Sequence, residues 1–339
     1  MKLPSARGSL SETLFTRLRA APAEMGELPR ITSAPPADFE VALWVVQELS
    51  FRVIDDVDPA WEVEPGFVAL RARLEHRLLD ELRARRSATM ECHTNDVRER
   101  LSALIDRAAG PSLSGWLEEH GSLDHLREFV VHRAAYQLKE ADPHSFAIPR
   151  LDAGRTKAAL LEIQLDEYGR TEPTEAHAEL FRTTMEAVDV AAELDLDLLP
   201  AVTLRTNTVL NCFGRSRHLL GACLGHLAVF EMTSVEAMAR YAAVCRRLLG
   251  DRGTSAARFY DVHVAADGLH GPMARDAMVA GFVEQYPDEA EMVLFGAGAL
   301  LDVENDFTRH LLRSWEAGET SLTRPLAGSG LRARLSAAA

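Results

Sequence analysis

The stretch Phe259–His270, which reads FYDVHVAADGLH, carries the sharpest local pattern in the sequence. At about 100° per residue, positions 263, 267 and 270 fall at roughly 0°, 40° and 340° around a helix, so His263, Asp267 and His270 project from one face. The neighbouring positions are apolar, which predicts a helix that is buried nearly all round. A buried polar stripe is unfavourable unless a partner satisfies it, and a metal ion would pair with all three side chains.

Apolar side chains recur at intervals of three and four residues along most of the chain, as in Leu70, Leu74, Leu78 and Leu82. This period indicates amphipathic helices, and stretches that alternate with period two are few. The sequence contains neither strand–helix alternation nor a glycine-rich phosphate loop, which argues against dinucleotide-binding and P-loop folds. It predicts an all-α protein with helices over residues 38–50, 66–87, 94–108, 112–120, 122–141, 153–168, 174–193, 201–231, 234–249, 255–285 and 288–316.

The charge balance limits the classes of partner. The 339 residues include 37 Lys plus Arg and 51 Asp plus Glu, which gives a net charge of −14. Nucleic-acid binding needs clustered basic side chains, so no nucleic-acid partner is expected. A hydrophobic fraction of 47% predicts a soluble globular core. The absence of an apolar leader segment and of a run of about 18 apolar residues predicts a cytoplasmic protein that does not enter a membrane.

The four cysteines lack the spacing of a zinc site. Cys92 precedes His93 but has no second ligand pair nearby, and Cys212, Cys223 and Cys245 show no Cys-x-x-Cys motif. We interpret them as thiols in a reducing compartment.

Four further ligand-type side chains lie in otherwise apolar helical windows: Glu140 in LKEADP, Glu167 in EIQLDEYG, His177 in PTEAHAELF and Glu231 in GHLAVFEMTS. An unpaired carboxylate in such a window is strongly unfavourable. Glu167 and His177 are separated by a glycine and a proline, so two consecutive helices must fold back on each other to bring them together. A hydrogen-bonded core network or a solvated face would also account for the stripe of residues 263, 267 and 270 taken alone.

In order and spacing, these seven residues resemble the ligand set of the heme-oxygenase-like diiron oxidases and oxygenases. The resemblance covers about residues 122–318 and implies a heme-oxygenase-like helical bundle that holds two Fe(II) ions and uses O₂ as co-substrate. It implies that Glu167 and Asp267 lie between or beside the two irons. It also implies terminal nitrogen ligands (His177, His263 and His270), a ligand to the more labile iron (Glu140) and an additional carboxylate (Glu231).

The resemblance implies a non-haem diiron oxidoreductase, an oxygenase or oxidase that acts on a small molecule in specialised-metabolite biosynthesis. N-oxygenation of an amine or amino acid is the favoured reaction. Oxidative carbon–carbon cleavage or desaturation of an aliphatic amino or fatty acid is one alternative. A helical metal- or haem-binding protein without turnover is the other, because His226 follows Gly221 and Gly225, whose spacing allows a helix or a flat macrocycle to approach.

The remaining segments have simpler interpretations. Residues 1–37 are expected to be a loosely ordered N-terminus and residues 319–339 a flexible tail, because both are rich in small and polar residues. Residues 38–121 form a helical extension that caps the bundle or provides the face of a homodimer. Pro272, directly after His270 and Gly271, predicts a kink in the helix that carries the stripe.

Overall fold

The computed structural model of the protein describes residues 1–23, 25–27, 29–86, 94–108 and 110–334. Cys92 and His93 lie outside the described residues. Within them the regular structure is helical, which confirms the all-α prediction. Short 3₁₀ helices join several of the main elements. The α-helices are α1 (Ser9–Leu18), α2 (Pro36–Glu48), α3 (Pro65–Arg86), α4 (Val97–Arg107), α5 (Leu113–His120), α6 (Leu123–Gln137), α7 (Ala141–Ser145), α8 (Arg155–Glu167), α9 (His177–Ala187), α10 (Ala201–Arg215), α11 (Leu220–Leu249), α12 (Gly253–Met273), α13 (Ala280–Gln285) and α14 (Ala290–Glu316), with a π-helix (Ala274–Val279) between α12 and α13.

Helices α11 and α12 are the central pair of the fold, and α14 packs along α11. Two apolar clusters surround them. One contains the N-terminal helices with parts of α8, α10, α11 and α14, and the other contains α5, α6, α9 and the facing halves of α11 and α12. Along α11 and α12 the change from one cluster to the other falls near Glu231 and residues 263–270. The candidate ligands therefore lie where the two apolar clusters meet.

Helices α11 and α14 approach so closely that their backbones touch. A Cβ atom added at Gly225 would lie 1.9 Å from the carbonyl oxygen of Val293, and one added at Gly296 would lie 2.0 Å from that of Ala222. Only glycine permits this approach. The small-residue spacing before His226 therefore serves helix packing, and the space that a macrocycle would need beside Gly225 is filled by α14.

Three helix boundaries differ clearly from the prediction. The predicted helix over 201–231 is interrupted at the 3₁₀ turn Arg217–Leu219, whereas the predicted break after residue 231 does not occur. Thr233 donates its hydroxyl hydrogen to the Val229 carbonyl oxygen at 2.7 Å, which satisfies the hydroxyl inside the continuous helix. The predicted helix over 174–193 is confined to α9, after a 3₁₀ turn at Pro173–Glu175.

The first 37 residues differ from the expected loosely ordered segment, because they contain α1. Its side chains Leu10, Leu14 and Leu18 are fully buried. The Asp38 carboxylate accepts hydrogen bonds from the backbone N–H groups of Leu10 and Ser11, at 3.0 and 2.8 Å. A side chain in α2 therefore satisfies the free N–H groups at the start of α1.

The tail also contains ordered contacts within residues 319–334. The buried side chains Thr320 and Ser321 donate hydrogen bonds to the carboxylate of Glu128 in α6, and Trp315 donates its indole N–H to the same group at 2.8 Å. A carboxylate that accepts several hydrogen bonds is stable when buried. These bonds hold the start of the tail against the bundle.

The N-terminal extension is joined to the bundle through buried ion pairs. Lys139 forms a salt bridge with Glu48 of α2, and both side chains are almost completely buried. Arg205 of α10 forms a second one with Glu40 of α2 at 2.5 Å. Removal of one partner from such a pair leaves an uncompensated buried charge. The extension therefore forms one continuous interior with the bundle.

One helical stretch of the described residues, Arg217–Gln285, contains an 18-residue window with a mean hydropathy of 1.2, which is long and apolar enough to cross a membrane. The protein itself buries 72% of that stretch's apolar window. Burial of this extent is typical of a core helix in a soluble protein.

The close approach of α11 and α14 gives a test with a matched pair of variants. Gly225→Ala should lower the free energy of unfolding by about 1–3 kcal/mol or more, because the new methyl group collides with backbone. Gly268→Ala should raise it by up to about 0.5–1 kcal/mol, since Gly268 is helical and a Cβ there meets nothing within 4 Å. Urea unfolding followed by circular dichroism measures both, and equal stabilities would contradict the packing described.

Candidate metal centre

The structure brings all seven predicted ligand residues together in the interior. They lie at the ends of helices or on buried helix faces. They are Glu140 between α6 and α7, Glu167 at the end of α8, His177 at the start of α9, Glu231 in the middle of α11, and His263, Asp267 and His270 on one face of α12.

Three of these side chains form a first group, which we call group A: Glu167, His177 and His263. All three are buried, and each offers a ligand atom within 4.8 Å of the other two. His177 Nδ1 lies 2.9 Å from Glu167 Oε2, and the imidazole ring centroids of His177 and His263 are 4.2 Å apart. The reversal of the chain between α8 and α9 places Glu167 and His177 side by side, as their separation by glycine and proline predicts.

A second group, group B, contains Glu231, Asp267 and His270. These side chains are also buried, with ligand atoms within 4.8 Å of one another. His270 Nδ1 lies 3.5 Å from Glu231 Oε2 and 4.0 Å from Asp267 Oδ1. The stripe on α12 is thus divided, with His263 in group A and the other two residues in group B.

Glu140 lies beside both groups. Its Oε2 atom is 3.9 Å from His263 Nε2 of group A. Burial raises the pKa of the Glu140 carboxyl well above its usual range, and the nearby carboxylates of Glu167, Glu231 and Asp267 raise it further. The four carboxylates are therefore close enough to repel one another.

The segment after the stripe explains how α12 reaches α11. A Cβ atom at Gly271 would lie 2.8 Å from the backbone oxygen of Glu231, so glycine allows the two helices to touch next to group B. Pro272 lacks a backbone N–H, yet α12 continues past it and passes directly into the π-helix Ala274–Val279. The wider π turn accommodates the irregular hydrogen bonding, and the helix continues rather than ending.

Hydrogen bonds orient two of the histidines so that one ring nitrogen of each points into the site. His263 Nδ1 lies 2.8 Å from the Phe259 carbonyl oxygen, to which it donates, so Nε2 is left as an acceptor. His270 Nε2 donates to Asp166 Oδ2 at 2.9 Å, which leaves Nδ1 facing group B. Carboxylates and carbonyls commonly orient metal-binding histidines in this way.

Sequence reasoning missed two side chains that contact the candidate ligands. Asp166 holds His270, and Ser234 donates its hydroxyl hydrogen to Asp267 Oδ2. Each had a signal in the sequence, because Asp166 directly precedes Glu167 and Ser234 is three residues after Glu231 on the same helix face. Both are polar residues beside a predicted ligand, and a search for such neighbours would have found them.

The buried polar atoms of the two groups fit a metal ion. Several of them have no hydrogen-bond partner among the described residues, namely Glu140 Oε2, His177 Nε2, Glu231 Oε2, His263 Nε2 and His270 Nδ1. An unpaired buried polar atom costs free energy, and so many in one place are unusual for a folded protein. Carboxylate and imidazole donors without thiolates suit iron, manganese or zinc. The residues present therefore match the ions that the sequence predicts.

The carboxylates of the two groups are close enough together that a positive charge between them would be stabilised. Burial raises the pKa of Asp267 to about 9, with a further contribution from the charge of Glu231. Burial also opposes ionisation of Glu167, but the imidazoles of His177, His263 and His270 outweigh it and lower the pKa of Glu167 to about 2. Bound cations would relieve the mutual repulsion of the carboxylates.

A cavity of about 270 Å³ lies against these residues. Its wall includes Glu140, Glu167, Glu231, His263 and Asp267, so both groups border the same space. Much of the remaining wall is aromatic and aliphatic, for example Phe181, Phe230, Phe259 and Leu300. A largely apolar cavity next to candidate ligands is a typical place for a small-molecule substrate.

Two buried histidines near Glu140 in the sequence, His132 and His144, make contacts with other residues. His132 is buried between Thr203 and Ser321, at 2.7 and 2.9 Å, and its ring lies against Phe307. His144 Nε2 lies 3.3 Å from His226 Nδ1 in a buried pair. Burial lowers the pKa of His144 to about 4. His226 is thus held by another histidine.

The variant Asp267→Asn distinguishes a metal site from a hydrogen-bonded core network. If group B binds metal, loss of the carboxylate should abolish metal binding and O₂ consumption while the protein stays helical. In a simple network the amide would keep the bond from Ser234, at a cost of about 1–3 kcal/mol, with metal content unchanged. Elemental analysis and circular dichroism measure the two properties.

A matched control exists on the same helix. Asp261→Asn removes an Asp whose side chain is 40% exposed and pairs with Arg246 on the surface. This control should keep its full metal content. A folded Asp267→Asn protein with undiminished iron would refute the metal assignment.

The raised pKa of Asp267 predicts how metal affinity depends on pH. Because this pKa is about 9 in the folded protein against an ordinary 3.8, the carboxyl carries a proton at neutral pH that an incoming cation must displace. Affinity for Mn(II), which needs no exclusion of air, should therefore increase as pH rises from about 6 to 8. Titration calorimetry in buffers of different ionisation enthalpy should detect proton release, and a pH-independent affinity would contradict this.

The same shift has a consequence for the metal-free protein. A carboxyl whose folded pKa exceeds its unfolded value stabilises the fold below the unfolded pKa, and this contribution is lost as pH rises towards the folded pKa. The melting temperature of the metal-free protein should thus fall between about pH 5 and pH 9 more steeply than that of Asp267→Asn. Calorimetric scans across that range measure the difference.

Comparison with known proteins agrees with this geometry. The family model described as iron-containing redox enzyme matches residues 127–305, just over half of the chain. Nitrosourea synthase of Streptomyces achromogenes subsp. streptozoticus is 27% identical over 139 residues, and the match covers 40% of this chain and 29% of that enzyme. The chain therefore spans less than a third of this relative. The match to the family model shows that the chain belongs to the family of iron-containing redox enzymes and is an oxidoreductase with the heme-oxygenase-like helical fold.

Proposed function

We propose that the protein is a non-haem diiron oxygenase or oxidase that uses O₂ to N-oxygenate an amine or amino acid. One observation carries the proposal: two adjacent groups of buried carboxylates and imidazoles, with Glu140 beside them, border one cavity. Each group offers three protein ligands, so each could hold an ion and keep positions free for O₂ or substrate. The chain's own family supports iron as the metal.

The donor set supports two redox-active ions rather than a structural metal. Structural zinc sites are closed by four ligands and are rich in thiolate, whereas groups A and B have three ligands each and contain no cysteine. Two Fe(II) ions held there would supply the electrons that reduce dioxygen. We propose that Glu167 and Asp267, one from each group, lie beside the two ions, with His177, His263 and His270 as nitrogen ligands and Glu231 as a further carboxylate.

The chain's own residues have clear tasks around such a centre. The Phe259 carbonyl and the Asp166 carboxylate hold His263 and His270 in the tautomers that leave one nitrogen free for the metal. Ser234 holds Asp267 in place through its hydroxyl. The aromatic side chains of the cavity wall reduce the polar surface beside the ligands, which limits side reactions with water.

The relative named above supports nitrogen as the site of oxidation. A nitrosourea contains an N–N=O group, and formation of that group from amine nitrogen requires oxidation at nitrogen. The match spans only 29% of that enzyme, and formation of a nitrosourea by this chain is not proposed. N-oxygenation is the part of such chemistry that a redox metal centre supplies.

Anaerobic reconstitution with Fe(II) tests the proposal directly. The protein should bind close to two irons per chain and consume O₂ when an amine or amino acid substrate is supplied with a reductant. Mass spectrometry with labelled dioxygen should show one oxygen atom added at nitrogen in the product. The Asp261→Asn protein should behave as the wild type, and Asp267→Asn should bind little iron.

Other outcomes would select the alternatives. Loss of hydrogen or of carbon from an aliphatic substrate, with no oxygen on nitrogen, would indicate desaturation or carbon–carbon cleavage. Two bound irons without O₂ consumption for any nitrogen substrate would indicate a binding protein. Tight binding of added haem with no uptake of free iron would refute the diiron assignment.

A further inference from the structure

An ion pair forms part of the wall of the cavity that borders the candidate ligands. Arg133 of α6 donates to both carboxylate oxygens of Glu304 in α14, at 2.9 and 2.6 Å. The side chains are only 14% and 22% exposed, and both line the cavity. The guanidinium carbon also lies 4.4 Å from the ring centroid of Phe307. Paired hydrogen bonds and the aromatic contact fix the position of the guanidinium group.

This ion pair retains hydrogen-bonding capacity. Glu304 uses two of the five N–H groups of Arg133, and the structure shows no further partner for the others among the described residues. Each Glu304 oxygen accepts one hydrogen bond from Arg133 and keeps a lone pair. A buried ion pair contributes little net stability compared with apolar side chains of similar volume, so its position at a cavity wall points to a ligand.

A second observation points to the same ligand. Gln137, one helical turn after Arg133 on the same face of α6, lines the cavity and is 7% exposed, and its Oε1 atom has no partner among the described residues. Tyr260, which is 2% exposed, likewise has an unpaired hydroxyl at the cavity. The cavity therefore offers donors from Arg133 and acceptors from Glu304 and Gln137 close together, beside an apolar wall.

We propose that these residues bind the charged head of an α-amino acid, with its carboxylate on Arg133 and its ammonium on Glu304 and Gln137. The side chain then extends along the apolar wall towards groups A and B. Because the α-ammonium is engaged at the ion pair, the nitrogen that is oxygenated belongs to the side chain. This last step rests on the proposed function, whereas the recognition of the head group does not.

The size of the cavity limits the ligand. A volume of about 270 Å³ corresponds to about nine water-sized groups at ~30 Å³ each. It is slightly below the ~300–1,000 Å³ typical of pockets for larger ligands. An amino-acid head occupies five non-hydrogen atoms, which leaves room for a side chain of about four more. A long fatty-acid chain would have to extend beyond this volume.

Three small ligands of matched length test the recognition of the head group. L-Norleucine carries both charges, hexanoate lacks the ammonium, and pentylamine lacks the carboxylate. Calorimetry with the purified protein, with and without added Fe(II), should show that L-norleucine binds about tenfold or more tightly than either analogue, since hexanoate makes no hydrogen bonds to Glu304 and Gln137 and pentylamine makes none to Arg133. Equal or undetectable binding of all three ligands by the wild type would overturn the proposal.

A double variant removes the charges without leaving either one unpaired. Arg133→Gln with Glu304→Gln retains hydrogen-bonding side chains of similar length, so the protein should fold and keep its iron content. Its preference for L-norleucine over both analogues should fall by about tenfold or more. The matched control is the same double change at Arg155 and Glu284, an ion pair 51% and 62% exposed on the surface, which should leave the preference intact.

The outcomes separate this inference from the function on which it builds. Persistent preference for L-norleucine in the double variant would overturn the assigned head-group site, whatever the iron chemistry. If the double variant loses the preference and the wild type never consumes O₂, the result would support the head-group site and refute only the oxygenase function. Iron content, measured in every variant, shows whether a lost preference reflects a damaged metal centre.

Discussion

The concentration of charge in an apolar interior is the constraint on which the structure depends. Four carboxylates and three imidazoles lie where two apolar clusters meet, and several of their atoms lack any hydrogen-bond partner among the described residues. Folding alone gives no reason to gather these groups, since desolvation opposes it. The close contact between α11 and α12 at Gly271, the chain reversal between α8 and α9, and the bond from Asp166 to His270 all bring ligand atoms towards common points. The packing of these helices thus holds ligand-type atoms in positions that bound cations would stabilise.

The sequence allowed much of this to be predicted, because helical periodicity converts spacing into direction. Residues 263, 267 and 270 share a face in any regular helix, and the apolar surroundings of Glu231 require a partner for that carboxylate. The division of the stripe between two groups was not predictable, because it depends on which neighbouring helix each side chain meets. Ser234 shows the same limit: its place three residues after Glu231 was visible, whereas its bond to Asp267 depends on the packing of α11 against α12.

Local composition misled where tertiary contacts supply what the local sequence lacks. The first 37 residues contain prolines and small residues, yet α1 forms because Asp38 of the next helix satisfies its free N–H groups and apolar neighbours bury its leucines. The predicted break after Glu231 is absent because α11 packs on both sides of that residue, and the hydroxyl of Thr233 bonds within the helix rather than capping a new one. In each case long-range packing or a local hydrogen bond outweighs propensity.

The buried pair of Lys139 and Glu48 bears on modularity. The family match begins at residue 127 and ends at residue 305. Lys139, the residue before Glu140, forms its salt bridge with Glu48 of α2, which lies outside the match. Glu128 accepts its hydrogen bonds from residues beyond 314, also outside it. A fragment cut at the limits of the family match would leave a buried ammonium next to a candidate ligand and a buried carboxylate without donors. The segment that matches the family therefore does not form an independent folding unit, and a graft or fusion must include its flanking segments.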